Sequence, residues 1–194
     1  DKQDWPTLYA QAASIARRFS GSIGLIDPSM QLVLNTLRPY GDPLPVSSIP
    51  DTVRSVLSTG QPVVTGLIWG RVSQRSIAAV VVPVMRDGTA LYTLNMTLTP
   101  DRFSGILNAQ GLPKGWTAML LDRDDVVVAA SHGSPQEVGV RAEAFAAAGA
   151  NSDEGVVNVR PPGEGRYKIA FQRSEETGWK IIVASPVAIA ETPT

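Results

Sequence analysis

The 194-residue chain contains no cysteine and a single histidine, His132. The first absence excludes disulfide scaffolding, thiol nucleophiles and Cys-ligated zinc or iron–sulfur centres. The second excludes a His-rich metal site and leaves any Ser–His–acid triad dependent on one residue. An excess of either charge is also missing. Seventeen Lys+Arg stand against eighteen Asp+Glu, a net charge of −1, which argues against nucleic acid, whose binding needs a concentrated basic surface. No block of like charge marks a tail or a polybasic anchor. The longest apolar run, residues 77–85, is too short to cross a bilayer. No basic stretch precedes an apolar one in the manner of a signal peptide. These residues are therefore either cytosolic or the soluble part of a protein whose targeting and anchoring segments lie outside them. Phosphate-cradling glycine loops and nucleophile elbows are missing too, which disfavours a small enzyme. A paired-carboxylate hydrolase stays open, because acids distant in the chain can meet in space.

What the chain does contain is an internal repeat. Residues 22–36 read as strand, turn, strand, and residues 117–131 read the same way, with Asp27 and Asp122 in equivalent places 95 residues apart. Each aspartate ends an apolar strand, where its carboxylate can accept backbone N–H groups two residues on and fix the turn. The first copy continues with a short helix over 50–59, with Asp51 as its expected N-cap and Gly60 as its stop. Strands are expected over 63–69, 77–85 and 91–98, the last two joined by a hairpin with Asp87-Gly88 at its centre. The second copy continues with a helix over 141–148 and strands over 155–159, 167–173 and 179–184.

Ahead of the first copy, Asp4 caps a helix entered through Trp5-Pro6. Leu8, Ala12, Ile15 and Phe19 form its expected apolar stripe. A second helix opens at Thr99-Pro100-Asp101, with Phe103, Ile106 and Leu107 on its expected buried side. The pattern is α+β with antiparallel sheets. It implies a helix over 1–20, a first subdomain over 21–99, and a linking helix with a second subdomain over 100–190.

At this point the chain resembles the extracytoplasmic double Cache sensor region of bacterial membrane receptors, in which two tandem PAS-like subdomains share one N-terminal helix. The likeness to sensor regions of proteobacterial signal-transduction histidine kinases rests on Leu37-Arg38-Pro39-Tyr40-Gly41-Asp42-Pro43-Leu44-Pro45 and Gly111-Leu112-Pro113-Lys114-Gly115-Trp116. It also rests on Leu121-Asp122-Arg123-Asp124, Val138-Gly139 and Gly178-Trp179. The resemblance implies a non-catalytic, periplasmic sensor module flanked by two transmembrane helices and working as a homodimer through the N-terminal helix. A small molecule would bind the membrane-distal first subdomain and alter a cytoplasmic kinase. No cofactor or metal is implied. The alternatives are the sensor of a chemoreceptor or diguanylate cyclase, or an interaction domain that answers to a periplasmic protein and binds no metabolite.

Candidate ligand-binding residues are Trp69, Arg71 and Arg75, with Tyr92 and Asn95 on the last strand of the first copy. An aromatic wall with guanidinium donors suits a small carboxylate, which arginine binds bidentately. The amino-acid-binding branch of the family carries an acidic residue on the last strand that has no match here. The competing reading places Trp69 in the core and leaves Arg71 and Arg75 solvated on a hairpin. Arg38 and Tyr40 lie in a proline-rich loop that forms either a lid or a rigid connection. His132 reads as exposed or locally hydrogen-bonded, and Asp122, Asp124 and Asp125 as turn acids facing water.

Overall fold

The computed structural model describes residues 4–132, 137–147, 152–161 and 165–187. Gly133, Ala148 and residues 188–190, to which the sequence reading extends, lie outside them. The elements run α1 (Trp5–Phe19), β1 (Ser22–Ile26), β2 (Leu32–Asn35), α2 (Pro50–Thr59), β3 (Val63–Val64), β4 (Ile68–Gly70), β5 (Arg75–Arg86) and β6 (Thr89–Leu98). There follow α3 (Pro100–Asn108), β7 (Thr117–Leu121), β8 (Val127–Ala130), α4 (Glu143–Ala146), β9 (Glu154–Val159), β10 (Tyr167–Arg173) and β11 (Lys180–Pro186). No described helix is long and apolar enough to cross a membrane. The chain divides into two compact units, Asp1–Thr99 and Pro100–Thr194.

Both units carry one antiparallel sheet with the same connectivity. The first is ordered β2-β1-β6-β5-β3 with β4 paired to β5, and the second β8-β7-β11-β10-β9. The repeat holds in fine detail. Asp27 Oδ1 accepts the N–H groups of Ser29 and Gln31 at 2.8 and 3.0 Å, and Asp122 Oδ1 accepts those of Asp124 and Val126 at 3.0 Å each. Each turn then needs a left-handed residue, Met30 (φ 71°) in one and Asp125 (φ 61°) in the other. A β-bulge falls at Leu25/Ile26 and again at Leu120/Leu121. Even the isolated bridges Gln31–Val46 and Val126–Arg141 correspond.

In the first unit the two sheet faces are set by strict alternation along β1 and β6. Ile23, Leu94 and Met96 point to α1, where Ala12 and Ala16 are buried against them. Ile26, Leu32, Ala79 and Val81 point the other way and form a core with Ile49, Val53 and Val56 of α2 and its approach. The second unit buries Met119, Leu121, Phe145, Ile169 and Ile182 on one face of its sheet, while α3 sets Leu107 against Ala118 and Ala129 on the other.

Several expectations need correction. The α1 stripe is not Leu8, Ala12, Ile15 and Phe19, for Ile15 and Phe19 are exposed and Ala16 is buried. Small side chains let the helix approach the sheet closely, and the bulky residues turn outward. Ile106 of α3 is likewise exposed. Asp51 is not the N-cap of α2; Ile49 holds that place without a side-chain cap, Pro50 starts the helix, and Asp51 bonds Arg54 instead. The strand expected over 63–69 is broken, because Thr65 Oγ1 accepts the Ala79 N–H at 2.9 Å and donates to the Gly66 carbonyl. The second-copy helix shrinks to the four residues of α4.

Candidate ligand-binding site

The face of the first sheet that packs on α2 is only partly covered by it. Three cross-strand rows cross this face. Leu32, Ile26, Thr93 and Pro83 form the row at one end. The middle row is Asn35, Gly24, Asn95 and Val81, and the row beyond it is Ser22, Thr97 and Ala79. Beside the N-terminal end of α2 the floor turns polar and a cavity of about 40 Å³ opens. Its walls are Ser47, Ser48 and Ile49 on one side and Gly70, Arg71, Val72 and Ser73 on the other. It continues into a surface groove of about 310 Å³ bordered by Arg38 and Arg75. Ser22, Leu37, Val72, Ser73, Ile77 and Thr97 belong to both spaces.

The floor is arranged around Gly24. A Cβ built there would lie 2.5 Å from Asn95 Oδ1 and 3.3 Å from Asn35 Nδ2, so the missing side chain leaves room for both carboxamides to lean over the strand. Asn35 is held by its own oxygen, which accepts the Leu37 N–H at 3.0 Å. Ser22 and Thr97 hydroxyls bond each other. Asn95 Oδ1 is buried and has no hydrogen-bond partner, although Asn95 as a whole is only 8% exposed. An unmade bond at a buried acceptor is costly, on the order of 1–3 kcal/mol; Thr93 Oγ1 in the neighbouring row and Thr117 Oγ1 in the second unit share this state, and of the three only Asn95 lines the cavity.

The second unit supplies an internal control. The row in register with Asn35, Gly24 and Asn95 is there Ala130, Met119 and Ile182. Met119 and Ile182 are fully buried, and the position left open by Gly24 is filled by a methionine side chain.

Of the residues expected at a site, the structure brings Arg71 and Asn95 to the cavity and Arg75 to the groove. Trp69 and Tyr92 are not there. Trp69 lies between Ile68 and Gly70, which face the cavity, and so points away; at 58% exposure it does not fill the core either. Tyr92 has the parity of Leu94 and Met96 and packs edge-on against Trp5, ring centroids 5.4 Å apart. Sequence reasoning missed Ser22, Gly24, Asn35 and Thr97. The proline-rich loop forms no lid: Tyr40 rests on Tyr9 of α1 at 5.8 Å, and Tyr9 Oη donates to the Arg38 carbonyl at 2.8 Å. In the second unit His132 is exposed, its N–H donating to Asn108 Oδ1. Two of the three turn acids do not face water as expected: Asp122 is buried with its carboxylate turned to the backbone amides of its own turn, and Asp125 pairs with the fully buried Lys180 Nζ at 3.1 Å. Among the described residues no acidic or histidine cluster is suited to a metal ion.

No protein-family model matches the chain, and no curated protein sequence does. Solved structures do match. The extracellular domain of rpHK1S-Z16, a protein designated a histidine kinase, superposes with TM-score 0.77 at 17% identity, covering 94% of this chain and 78% of that one. The ligand-binding domain of the Pseudomonas aeruginosa PAO1 amino-acid chemoreceptor PctB, in complex with L-Arg, gives TM-score 0.69 at 15% identity over 95% and 80% of the two chains. The sensor domain of the Vibrio cholerae histidine kinase DctB gives 0.65 at 11% identity over 95% and 79%. The protein has the Cache-type α+β fold of the extracellular sensor and ligand-binding domains of histidine kinases and chemoreceptors.

Proposed function

We propose that the chain is the extracytoplasmic, non-catalytic sensor region of a transmembrane receptor of the histidine kinase type. In this reading the first subdomain, residues 21–99, is membrane-distal and binds a small molecule through Arg71, Arg75 and Asn95. The second unit, to residue 190, is membrane-proximal, and transmembrane helices flank the two. The observation that carries the reading is the polar floor around Gly24 with its unpartnered acceptor, at a place where the second unit is filled with apolar side chains. The route out of the site is short. Arg38 borders the groove while its carbonyl is held by Tyr9 of α1, so a ligand that moves the loop biases the helix, by the 1–3 kcal/mol or so typical of coupled sites.

The test is a thermal-shift screen of small organic acids, amines, sugars and amino acids. A ligand at a hundred times its Kd adds about 2.7 kcal/mol. Arg71→Ala removes the response and leaves the unliganded Tm in place, since Arg71 is exposed and has no ion pair among the described residues. A screen without any hit overturns the reading in favour of an interaction domain. The chemoreceptor neighbours favour a second output, chemotaxis in place of phosphotransfer.

A further inference from the structure

We infer that the cavity recognises a small carboxylate bearing a hydroxyl group, and discriminates against the corresponding amino acid. This rests on the reading of the cavity as a ligand site and adds the chemistry of what enters it.

Asn95 Oδ1 is a buried acceptor without a donor. Across Gly24 lies Asn35 Nδ2, which also lines the cavity, and it is a donor because the oxygen of that carboxamide is already engaged by Leu37 N–H. A group placed between them must donate on one side and accept on the other. A hydroxyl does both. An ammonium only donates, so it satisfies Asn95 and faces the Asn35 amide N–H as a like partner. A carboxylate only accepts, and meets Asn95 Oδ1 as a second acceptor.

Charge points the same way. No aspartate or glutamate lines the cavity or the groove, while Arg71 lines the first and Arg38 and Arg75 the second. None of these three arginines forms an ion pair among the described residues. An amino acid would leave its ammonium desolvated with no counter-charge, which is unfavourable; the carboxylate has three guanidinium groups to choose from. Size completes the assignment. The cavity of about 40 Å³ has room for roughly three water-sized atoms, so the hydroxyl-bearing end enters it and the carboxylate stays toward the arginine-lined groove.

The experiment is calorimetric titration of the whole 194-residue chain with matched sets: glycolate, L- and D-lactate and L-malate; acetate, propionate and succinate without the hydroxyl; and glycine, alanine and aspartate with an ammonium in its place. A hydroxy acid binding at least tenfold more tightly than both of its matched counterparts is the expected result, because each counterpart leaves a carboxamide unpaired. Gly24→Ala, whose Cβ would lie 2.5 Å from Asn95 Oδ1 and so displaces that carboxamide, abolishes that binding. Asn95→Leu, which keeps side-chain volume, reduces the preference for the hydroxyl to near unity, and circular dichroism confirms that the fold is kept. An amino acid bound as tightly as its hydroxy counterpart overturns the inference while leaving the sensor site standing, as does a hydroxy acid bound equally well by Asn95→Leu. If no member of the three sets and nothing in the wider screen binds, the reading of the cavity as a ligand site falls, and this inference with it.

Discussion

Replacing Asn95 by leucine makes the empty protein more stable while destroying recognition. The side chain is 8% exposed and its Oδ1 has no partner, so folding strips water from a carbonyl oxygen and returns nothing. Such a group costs about 1–3 kcal/mol, and an apolar residue of the same shape removes that cost. Leucine matches asparagine in branching, and the position is directly opposite Val81 in a buried row, where an aliphatic side chain also suits the strand better than a carboxamide. Taking the lower end, a gain of about 1 kcal/mol raises the Tm of a domain of up to 100 residues by about 4–8 °C, and the first unit is of that size. Differential scanning calorimetry in a buffer free of carboxylates measures it, with the transition of the first unit followed separately from that of the second. A Tm equal to or below that of the parent refutes the reasoning, since it means that Oδ1 is satisfied in the empty protein and signals nothing about a ligand.

Other predictions follow from how the remaining residues are placed. Trp69→Ala leaves both ligand binding and stability within about 0.5 kcal/mol of the parent, as for other surface substitutions, and isothermal titration with a thermal melt checks both. Tyr92→Ala, by contrast, leaves the site intact but loosens α1, because it deletes the edge-on partner of Trp5; faster hydrogen exchange in α1 with unchanged affinity is the expected outcome. In the second unit Asp125→Ala removes the carboxylate beside a lysine with no exposure and destabilises by about 3 kcal/mol, read by urea denaturation, whereas Lys180→Met is tolerated far better. Asp4 accepts the Thr7 N–H at 3.1 Å, and side-chain and backbone hydrogen bonding to Thr7 holds its carboxyl below the usual aspartate range. A depressed folded pKa gives stability that is present above the unfolded value and lost as pH falls through the folded one. The protection of the amides at the start of α1, relative to their intrinsic exchange rates, therefore falls as Asp4 is protonated in acid, and Asp4→Asn, which keeps a capping oxygen, removes that pH dependence.

The paired strands, the Asp-fixed turns and the hairpin at Asp87-Gly88 were legible because each is decided by residues a few positions apart. The sides of β6 were legible too, though only to a reader who respects the period of two. Tyr92, Leu94 and Met96 alternate with Thr93, Asn95 and Thr97, so Tyr92 and Asn95 cannot line one pocket. The same alternation in Ser22-Ile23-Gly24-Leu25 marks Ser22 and Gly24 as small residues on a face that ought to be apolar. Asn35 was visible as a strand asparagine, a residue depleted from strands. What the sequence could not reveal is that Asn35 and Asn95, 60 residues apart, flank one glycine, since that depends on the register of β1 against both neighbours. Nor does it reveal how far α2 reaches over the sheet. On α1 fit outweighs bulk: Ala12 and Ala16 contact the sheet, and the larger Ile15 and Phe19 are exposed.

The repeat turns these observations into an argument about what is dispensable. Both units solve the same folding problem with the same strand order, bulge and left-handed turn residue. One of them fills the middle of its sheet with Met119 and Ile182, the ordinary solution for a buried row. The other places a glycine and two carboxamides at the matching positions, and the Asn95 acceptor that results lines a cavity without a bond. Since the second unit demonstrates that the architecture closes without those polar groups, their presence in the first is not demanded by the fold. A binding site has to be incomplete without its ligand, because a floor already satisfied by the protein has nothing to offer an incoming hydroxyl or anion beyond what water offers. The instability at Asn95 and the capacity to recognise are thus one property of one atom.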